Sequence, residues 1–291
     1  MRHRQGHLGG NGPGQVRCLL HLRQQYGAEA HRQAGSLTVA AAPTLLWWLL
    51  AAVGFGVYAV RRRSLSPGGA LAAGALGIAV IATAGWPWLL PLLAFFISST
   101  VLGRLLPAAV TTTDAKDHQP RDAVQVICNG GVYGLVAAAG LDPVLLLVPM
   151  AVATADTWAS EIGKYYRQPT YDILLFQAVP PGLSGGVSVA GTVGGAAGAG
   201  LVGMLGWVLL PDYTTALFLS ITALGFGGML VDSVLGAGLQ ARYRTASGRL
   251  SDEALPDTQL ISGRRWMTND LVNLIAIAAT TAVALGLEFL G

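Results

Sequence analysis

The sequence is short of charge, cysteine and histidine, and each shortage excludes a class of protein. Only 11% of the 291 residues are charged, whereas soluble domains carry about 25%, so a soluble globular protein is excluded. The net charge of +3 is too small to suggest a nucleic-acid partner. Two cysteines, Cys18 and Cys128, exclude a disulfide framework or a Cys-rich zinc site. Four of the five histidines precede residue 37, so no mechanism with a buried histidine pair is expected.

Hydrophobic residues make up 53% of the chain and form runs long enough to cross a bilayer. About 20 apolar residues suffice at a rise of about 1.5 Å per residue. We interpret residues 1–36, which are basic and Gly-rich, as a disordered tail or a stretch upstream of the true start, and residues 37–291 as a single transmembrane domain. The fold class predicted is all-α, a polytopic transmembrane helix bundle of about eight spans (range six to nine): 37–60, 66–84, 87–106, 122–140, 143–164, 186–210, 213–238 and 267–290.

Basic residues are placed asymmetrically along this pattern. With eight spans, the 13 Lys and Arg residues beyond the tail all fall on one side, and the opposite loops carry only Asp142, Asp212 and the terminal Glu288. The positive-inside rule makes the basic side cytoplasmic. The five arginines of the tail contradict that orientation, which is a second reason to question the start.

Small residues recur every four positions in the sixth predicted span. Gly191, Gly195 and Ala199 form one such series, and Gly194 and Gly198 form another. This spacing lets two helix backbones approach closely in lipid. We therefore predict that the sixth span packs tightly against a neighbouring helix.

Ionisable side chains inside predicted spans are costly, about 2.5–3.5 kcal/mol each at the centre of a span. On this topology they lie in the cytoplasmic third of their helices, so we predict that they converge at one depth. Interhelical hydrogen bonding or helix capping is the alternative; Asn269 or Asp270 could cap the eighth span. The polar set consists of Asp156, Glu161, Asp232, Asp270 and Asn129.

Helical spacing places further polar residues beside these carboxylates. Ser160 follows Asp156 by one turn, and Asn273 follows Asn269 by one turn. Asp232 lies in a trough between glycines, where a partner backbone or a ligand can come close. The stripe that forms this trough is Gly228, Asp232, Gly236 and Gln240.

The segment PPGLSGGVS, residues 180–188, opens the sixth span. Gly182, Gly185 and Gly186 permit backbone N–H groups to point together, and a helix N-terminus favours anions. The segment lacks the lysine of a P-loop, so a Gly-rich re-entrant turn is equally compatible. Because carboxylates repel phosphates unless a cation lies between them, the combination suggests Mg²⁺-bridged phosphate chemistry. Lys164, Lys116, Arg121 and Arg265 could neutralise phosphate oxygens or anchor lipid headgroups.

Five ordered motifs resemble the integral membrane family that includes plant phytyl-phosphate kinase and animal transmembrane protein 19. They are RDAVQVICNGG, ADTWASEIG, VPPGLSGGVSVAGT, GMLVDSVLGAGLQ and NDLVN, within residues 40–290. The resemblance implies a membrane enzyme that phosphorylates an isoprenyl monophosphate to the diphosphate with a nucleoside triphosphate, CTP or ATP. The polar positions it carries over are Asn129, Asp156, Ser160, Glu161, Ser184, Ser188, Asp232, Asn269, Asp270 and Asn273.

A mechanism for such an enzyme needs positioning and charge stabilisation more than covalent help. The acceptor phosphate has a second pKa of about 6 by analogy with phosphoserine, so no general base is required. As a hypothesis, Asp156, Glu161 and Asp232 hold one or two Mg²⁺ ions, and Asn129 and Asp270 complete the catalytic set. The expected substrate or nucleotide contacts are Gly182, Ser184, Gly185, Gly186, Ser188, Ser160, Lys164, Arg121, Gln240, Asn269 and Asn273.

Three other functions compete with this interpretation. A transporter of a small ion or lipid-linked substrate also uses intramembrane carboxylates, but such sites usually lie at the midplane between inverted repeats. An intramembrane aspartyl protease with Asp156 and Asp232 as a dyad is disfavoured, because neither residue has the expected glycine context. A prenol kinase would need a carboxylate as base.

Overall fold

The structure, a computed structural model, describes residues 41–106 and 119–290. The tail 1–36 and Lys116 lie outside the described residues. Residues 41–50 are helical, and the residues from 51 onward form one compact unit that contains the site described below. The described helices are α1 (Ala41–Arg61), α2 (Pro67–Ala84), α3 (Leu89–Leu105), α4 (Ala123–Ala138), α5 (Leu147–Tyr166), α6 (Val189–Leu209), α7 (Thr215–Gly238) and α8 (Asn269–Leu290), with short 3-10 helices at Trp86–Trp88 and Pro143–Leu146.

Within residues 41–106 and 119–290, six helical segments are long and apolar enough to cross a membrane: Pro67–Ala84, Trp86–Leu105, Pro143–Tyr166, Val189–Leu209, Thr215–Gly238 and Asn269–Leu287. Two shorter apolar helices, Leu46–Arg61 and Ala123–Ala138, occupy the positions of the first and fourth predicted spans. The prediction of a polytopic helix bundle is confirmed, since six long spans and two shorter apolar helices agree with about eight.

Helix α5 forms the centre of the core. Every residue from Leu147 to Ala155 is buried, which is typical of a helix that is covered on all sides. Helix α6 packs against it through small residues: a Cβ at Gly198 would lie 2.8 Å from the Thr154 carbonyl oxygen, and one at Gly194 would lie 2.6 Å from Ile162. The predicted tight packing of the small-residue series is therefore present, and its partner is α5.

Polar side chains at the first turns explain where several helices begin. Asp122 accepts from the backbone N–H of Gln125 at 2.9 Å, while the Gln125 side chain accepts from the Asp122 N–H at 3.1 Å, a complete capping box for α4. Thr268 accepts from Leu271 at the start of α8. Thr268, and not Asn269 or Asp270, therefore caps α8.

Two small antiparallel sheets connect the helices, a feature that the all-α prediction missed. The first joins β1 (Thr170–Asp172), β2 (Ala178–Val179) and β3 (Gly186–Val187) in the order β2-β1-β3. The second joins β4 (Arg242–Thr245), β5 (Leu250–Ser251) and β6 (Thr258–Ser262) in the order β5-β4-β6. Four of the strands have only two or three residues, too few to show period-two alternation, and the sequence marked all these segments only as breaks.

The basic residues gather where helix ends meet. Arg104 donates to the Arg62 carbonyl oxygen and to Ser64 Oγ, both at 2.8 Å, and the backbone of Arg121 pairs with that of Ser64 and Ser66. The two sheets also follow helix ends on this side of the bundle, since β1 comes after the end of α5 and β4 after the end of α7. We call this the basic end of the bundle.

Candidate functional site

A pair of carboxyl groups lies between two of the long helices. Asp156 of α5 and Asp232 of α7 are hydrogen-bonded to each other through their side chains, and Asp232 is 9% exposed. Two ionised carboxylates repel each other at contact distance, so a proton or a cation must lie between them. The pair is therefore a site for either, and Asp156 lies at the middle of α5 rather than in the end third that the sequence predicted.

Two asparagines from α4 and α8 complete this polar cluster. With its amide nitrogen facing α7, Asn273 donates to Asp232 Oδ2 at 2.8 Å and to the Asn269 carbonyl oxygen at 3.2 Å. Asn129 donates to the Gln125 carbonyl oxygen of its own helix at 2.9 Å. These side chains line one narrow crevice, which has no room for a water molecule in this conformation: Asn129, Val152, Ala153, Asp156, Asp232, Asn273 and Ile277. The structure thus brings four predicted polar residues from four helices together.

The glycine loop, residues 180–188, lies one helical turn from the carboxyl pair. Ser184 Oγ donates to Asn269 Oδ1 at 3.5 Å, one turn before Asn273. On α7, a Cβ at Gly236 would lie 3.1 Å from the Gly185 nitrogen, one turn after Asp232. One helical turn is about 5.4 Å. The trough beside Asp232 is therefore filled at Gly236 by the backbone of the glycine loop; the sequence predicted either a partner backbone or a ligand there.

Three N–H groups of the glycine loop, those of Leu183, Ser184 and Gly186, already have partners within the protein. Leu183 donates to the Pro180 carbonyl oxygen, and Gly186 donates to that of Leu183 at 2.9 Å. Ser184 donates to Asp252 Oδ2 at 2.7 Å. Positive φ angles at Gly182 (88°) and Gly185 (78°) shape the turn. An anion could bind the Ser184 N–H only by replacing the carboxylate of Asp252.

The start of α6 is satisfied by protein in the same way. Ser188 is its N-cap and accepts from the N–H of Gly191 at 3.2 Å, while the Ala190 N–H donates to Gln168 Oε1 at 2.9 Å. The geometry assigns Ser188 a capping role; the predicted contact to substrate remains a prediction.

Glu161 lies apart from the carboxyl pair. Its Oε2 is 3.2 Å from the position that a Cβ at Gly103 of α3 would take, and Lys164 Nζ lies 3.9 Å from its Oε1. No three His, Cys, Asp or Glu side chains are placed to hold one metal ion anywhere in the described ranges. The expected trio is therefore not assembled, because residues five apart on a helix point in directions about 140° apart.

Two cations accompany Glu161, one buried and one half-buried. Lys164 is 6% exposed, and its charge acts on Asp156 as well as on Glu161. Arg121 lies 5.7 Å from the ring centres of both Phe95 and Phe96. Burial lowers the pKa of the Arg121 guanidinium and the charge of Glu161 opposes that shift; arginine stays protonated in proteins. Both cations therefore act on Glu161, Lys164 from the same helix and Arg121 from the residues before α4.

The remaining predicted residues differ in exposure. Ser160 and Asn269 are exposed, whereas Asp270 is buried in the first turn of α8. Gln240 is 3% exposed, and its Oε1 has no hydrogen-bond partner. A buried amide oxygen without a hydrogen-bond partner lowers the stability of the fold. Gln240 lies eight residues after Asp232, in the segment between α7 and the second sheet.

Three charged residues at the glycine loop were missed by the sequence analysis: Asp172, Arg242 and Asp252. Arg242 donates to Asp172 Oδ2 at 3.0 Å and to the Ser184 carbonyl oxygen at 2.9 Å. Asp172 Oδ1 accepts from Leu174 and Leu175, each at 3.0 Å. Burial alone would raise the pKa of Asp172, but these hydrogen bonds and the Arg242 charge outweigh it and hold the pKa below 3.8. The pair is 70 residues apart in sequence, so no local spacing indicates it.

Membrane-length helices around a buried carboxyl pair define an integral membrane protein with a polar site inside its bundle. The chain belongs to the family described as integral membrane protein DUF92, which matches residues 50–281. An uncharacterised membrane protein of Methanocaldococcus jannaschii is 30% identical over 184 residues, covering 61% of this chain and 75% of the relative.

Two Arabidopsis thaliana proteins are also similar. Protein PGR is 28% identical over 255 residues, 76% of this chain and 88% of the relative. The chloroplastic protein VTE6 is 29% identical over 135 residues, which is 45% of this chain and 33% of VTE6. These matches confirm the family resemblance. No solved structure gives a significant match.

Proposed function

We propose that this protein is a membrane kinase that transfers a phosphoryl group from CTP or ATP to an isoprenyl monophosphate of the phytyl or geranylgeranyl type. One observation carries the proposal: a carboxyl pair and two asparagines converge in a crevice one turn from a glycine loop. The motif resemblance to the family that includes plant phytyl-phosphate kinase supports it, as does the similarity to VTE6. By the positive-inside rule, the basic end faces the cytoplasm, where nucleotides are available.

The donor set of the crevice fits Mg²⁺. Asp156 and Asp232 supply hard carboxylate oxygens, and their contact requires a proton or a cation between them. Asn129 and Asn273 can add amide oxygens after rotation. A bound Mg²⁺ would neutralise the charge between these carboxylates and phosphate oxygens. Glu161 remains with Lys164 and Arg121, and we assign it to orienting those two cations rather than to the metal.

The protein's own groups then position the reactants. Ser184 and Asn269, hydrogen-bonded to each other one helical turn before Asn273, orient the donor phosphates. We assign Lys164 of α5 and Arg121, two residues before α4, to neutralising the incoming phosphate charge. The acceptor phosphate is ionised at neutral pH, so no side chain needs to remove a proton. The prenyl chain lies along α6, whose Val189 and Val193 are 74% and 65% exposed.

The test is transfer of labelled phosphate by the purified protein in lipid nanodiscs. Phytyl, geranylgeranyl and farnesyl monophosphates are each offered with γ-labelled CTP or ATP and Mg²⁺, and the diphosphate product is counted. We expect Asp232→Asn to lose at least about 100-fold of the rate, because it removes charge that the transition state needs. Asp142→Asn, which keeps the cap of the 3-10 helix, is the matched control. The absence of diphosphate from every substrate would overturn the proposal.

A transporter is the second candidate, and one observation favours it: Asp156 lies at mid-helix, and its contact with Asp232 can hold a single proton, as in proton relays. Proteoliposomes loaded with a pH-sensitive dye decide between the two. Proton flux that Asp232→Asn removes, without any diphosphate product, would favour transport. The aspartyl dyad stays disfavoured, since Ala155 and Val231 stand where a glycine is expected.

A further inference from the structure

Both backbone polar groups of Ser184 are held from the second sheet. Its carbonyl oxygen accepts from Arg242 Nη2 at 2.9 Å, and its N–H donates to Asp252 Oδ2 at 2.7 Å. Arg242 belongs to β4, and Asp252 follows β5, which pairs with β4. The paired strands β4 and β5 therefore hold Ser184 through both its N–H and its carbonyl oxygen.

Arg242 also ties this element to the first sheet. Its Nη1 donates to Asp172 Oδ2 at 3.0 Å, and Asp172 ends β1, the strand that pairs with β2 just before the glycine loop and with β3 near the end of that loop. Arg242 is 8% exposed and Asp172 is 1% exposed. A planar guanidinium serves two separate acceptors in a fixed geometry that a lysine ammonium does not reproduce.

The same connection reaches the carboxyl pair. Helix α7, which carries Asp232, ends at Gly238, and β4 begins at Arg242. In the glycine loop itself, Gly185 packs against Gly236 of α7, and Ser184 Oγ donates to Asn269 of α8. The distance between the loop and the carboxylates is thus set through a short, hydrogen-bonded path.

We infer that Arg242 is a positioning residue for the glycine loop, acting through Ser184 together with Asp172 and Asp252. The link to turnover rests on the proposed function, whereas the link to loop order does not. Arg242 itself does not touch substrate. Its loss lets the Ser184 backbone shift, and a misplacement of about 1 Å near a reacting group can cost about 100-fold.

The first experiment measures loop order by hydrogen–deuterium exchange on the full chain in nanodiscs. Arg242→Gln should speed exchange in the peptide covering residues 180–188, while Arg244→Gln, an exposed arginine on the same strand, should not. Asp172→Asn should produce the same change. The double variant should add little to either single one, because both substitutions break one connection.

The second experiment measures kinetics on the same samples. Arg242→Gln should raise the KM for the nucleotide by about tenfold or more, because the displaced Ser184 no longer orients the donor phosphates, with a smaller fall in kcat. Arg242→Lys should restore little, since one ammonium cannot reach both acceptors. Exchange in the α5 core peptide, residues 147–155, must match the wild type, which excludes global unfolding as the cause.

The outcomes separate this inference from the proposed function. Unchanged exchange in residues 180–188 of Arg242→Gln overturns the inference. Faster loop exchange with an unchanged KM overturns its connection to substrate. A wild-type protein without kinase activity overturns the proposed function, and the exchange measurement still decides whether Arg242 positions the loop.

Discussion

The contact between α5 and α6 can be tested with one substitution, glycine to alanine, made at two positions of α6 that differ only in what surrounds them. Gly198 and Gly200 lie two residues apart on α6, and each is changed to alanine. A Cβ at Gly198 would lie 2.8 Å from the Thr154 carbonyl oxygen and 3.1 Å from Cγ of Trp158, whereas nothing lies within 4 Å of a Cβ at Gly200. The two substitutions have the same intrinsic effect on helix propensity, so their difference isolates the packing contact.

The magnitude follows from the distances. Ordinary carbon contacts lie at about 3.5–4.0 Å, so Gly198→Ala must separate the helices by several tenths of an ångström against a backbone carbonyl. Overpacking of this kind costs about 1–3 kcal/mol. Gly200→Ala should be neutral or slightly stabilising, by at most about 1 kcal/mol.

The assay is reversible unfolding by SDS titration in mixed micelles, followed by tryptophan fluorescence. We expect Gly198→Ala to unfold at lower SDS than the wild type and Gly200→Ala at equal or higher SDS. Identical free energies of unfolding for the two variants would refute close approach of the α5 and α6 backbones at this point.

Three further predictions concern polar residues. Asp156→Asn should abolish phosphate transfer yet leave the melting temperature unchanged or higher, because a neutral amide can donate to Asp232 where the carboxylate needs a proton or a cation between the two; a large fall in melting temperature would contradict this. Ser188→Ala should lower the free energy of unfolding by about 1 kcal/mol, because it removes the α6 cap, and Ser188→Asn should restore it. Two backbone N–H groups and Arg242 outweigh burial and hold the pKa of Asp172 below its usual value, so its stabilisation is complete above the unfolded pKa and is lost as the pH falls through the folded pKa. Melting curves between pH 6 and about 2.5 should therefore slope less in Asp172→Asn than in the wild type; parallel curves would contradict the ion pair.

The membrane class and most helices could be predicted from the sequence because both depend on local composition. A run of apolar residues has to leave water wherever the chain goes, and the small-residue series on α6 needed only periodicity to be recognised. The contact between Asp156 and Asp232 was expected in outline, since each carboxylate in lipid needs a partner. The sequence did not predict that Glu161 lies outside that contact. Its position depends on which face of α5 packs against α7 and which face packs against α3.

The loop and the sheets show where local pattern stops being informative. Gly182 and Gly185 indicated a turn in the glycine loop. Nothing in the sequence indicated that the Asp252 carboxylate accepts a hydrogen bond from the Ser184 N–H in that loop. The link from Arg242 to Asp172 joins residues that no spacing relates.

The sequence by itself determined the class of protein, the helices that cross the bilayer, and the few polar residues that are retained inside it. It could do so because burial in lipid penalises each charged residue separately. Only the tertiary structure decided which carboxylates share a crevice, and that the loop above them is held by Arg242 and Asp252. Those facts depend on helix rotation and on contacts between distant segments, which are properties of packing and not of any one stretch of chain.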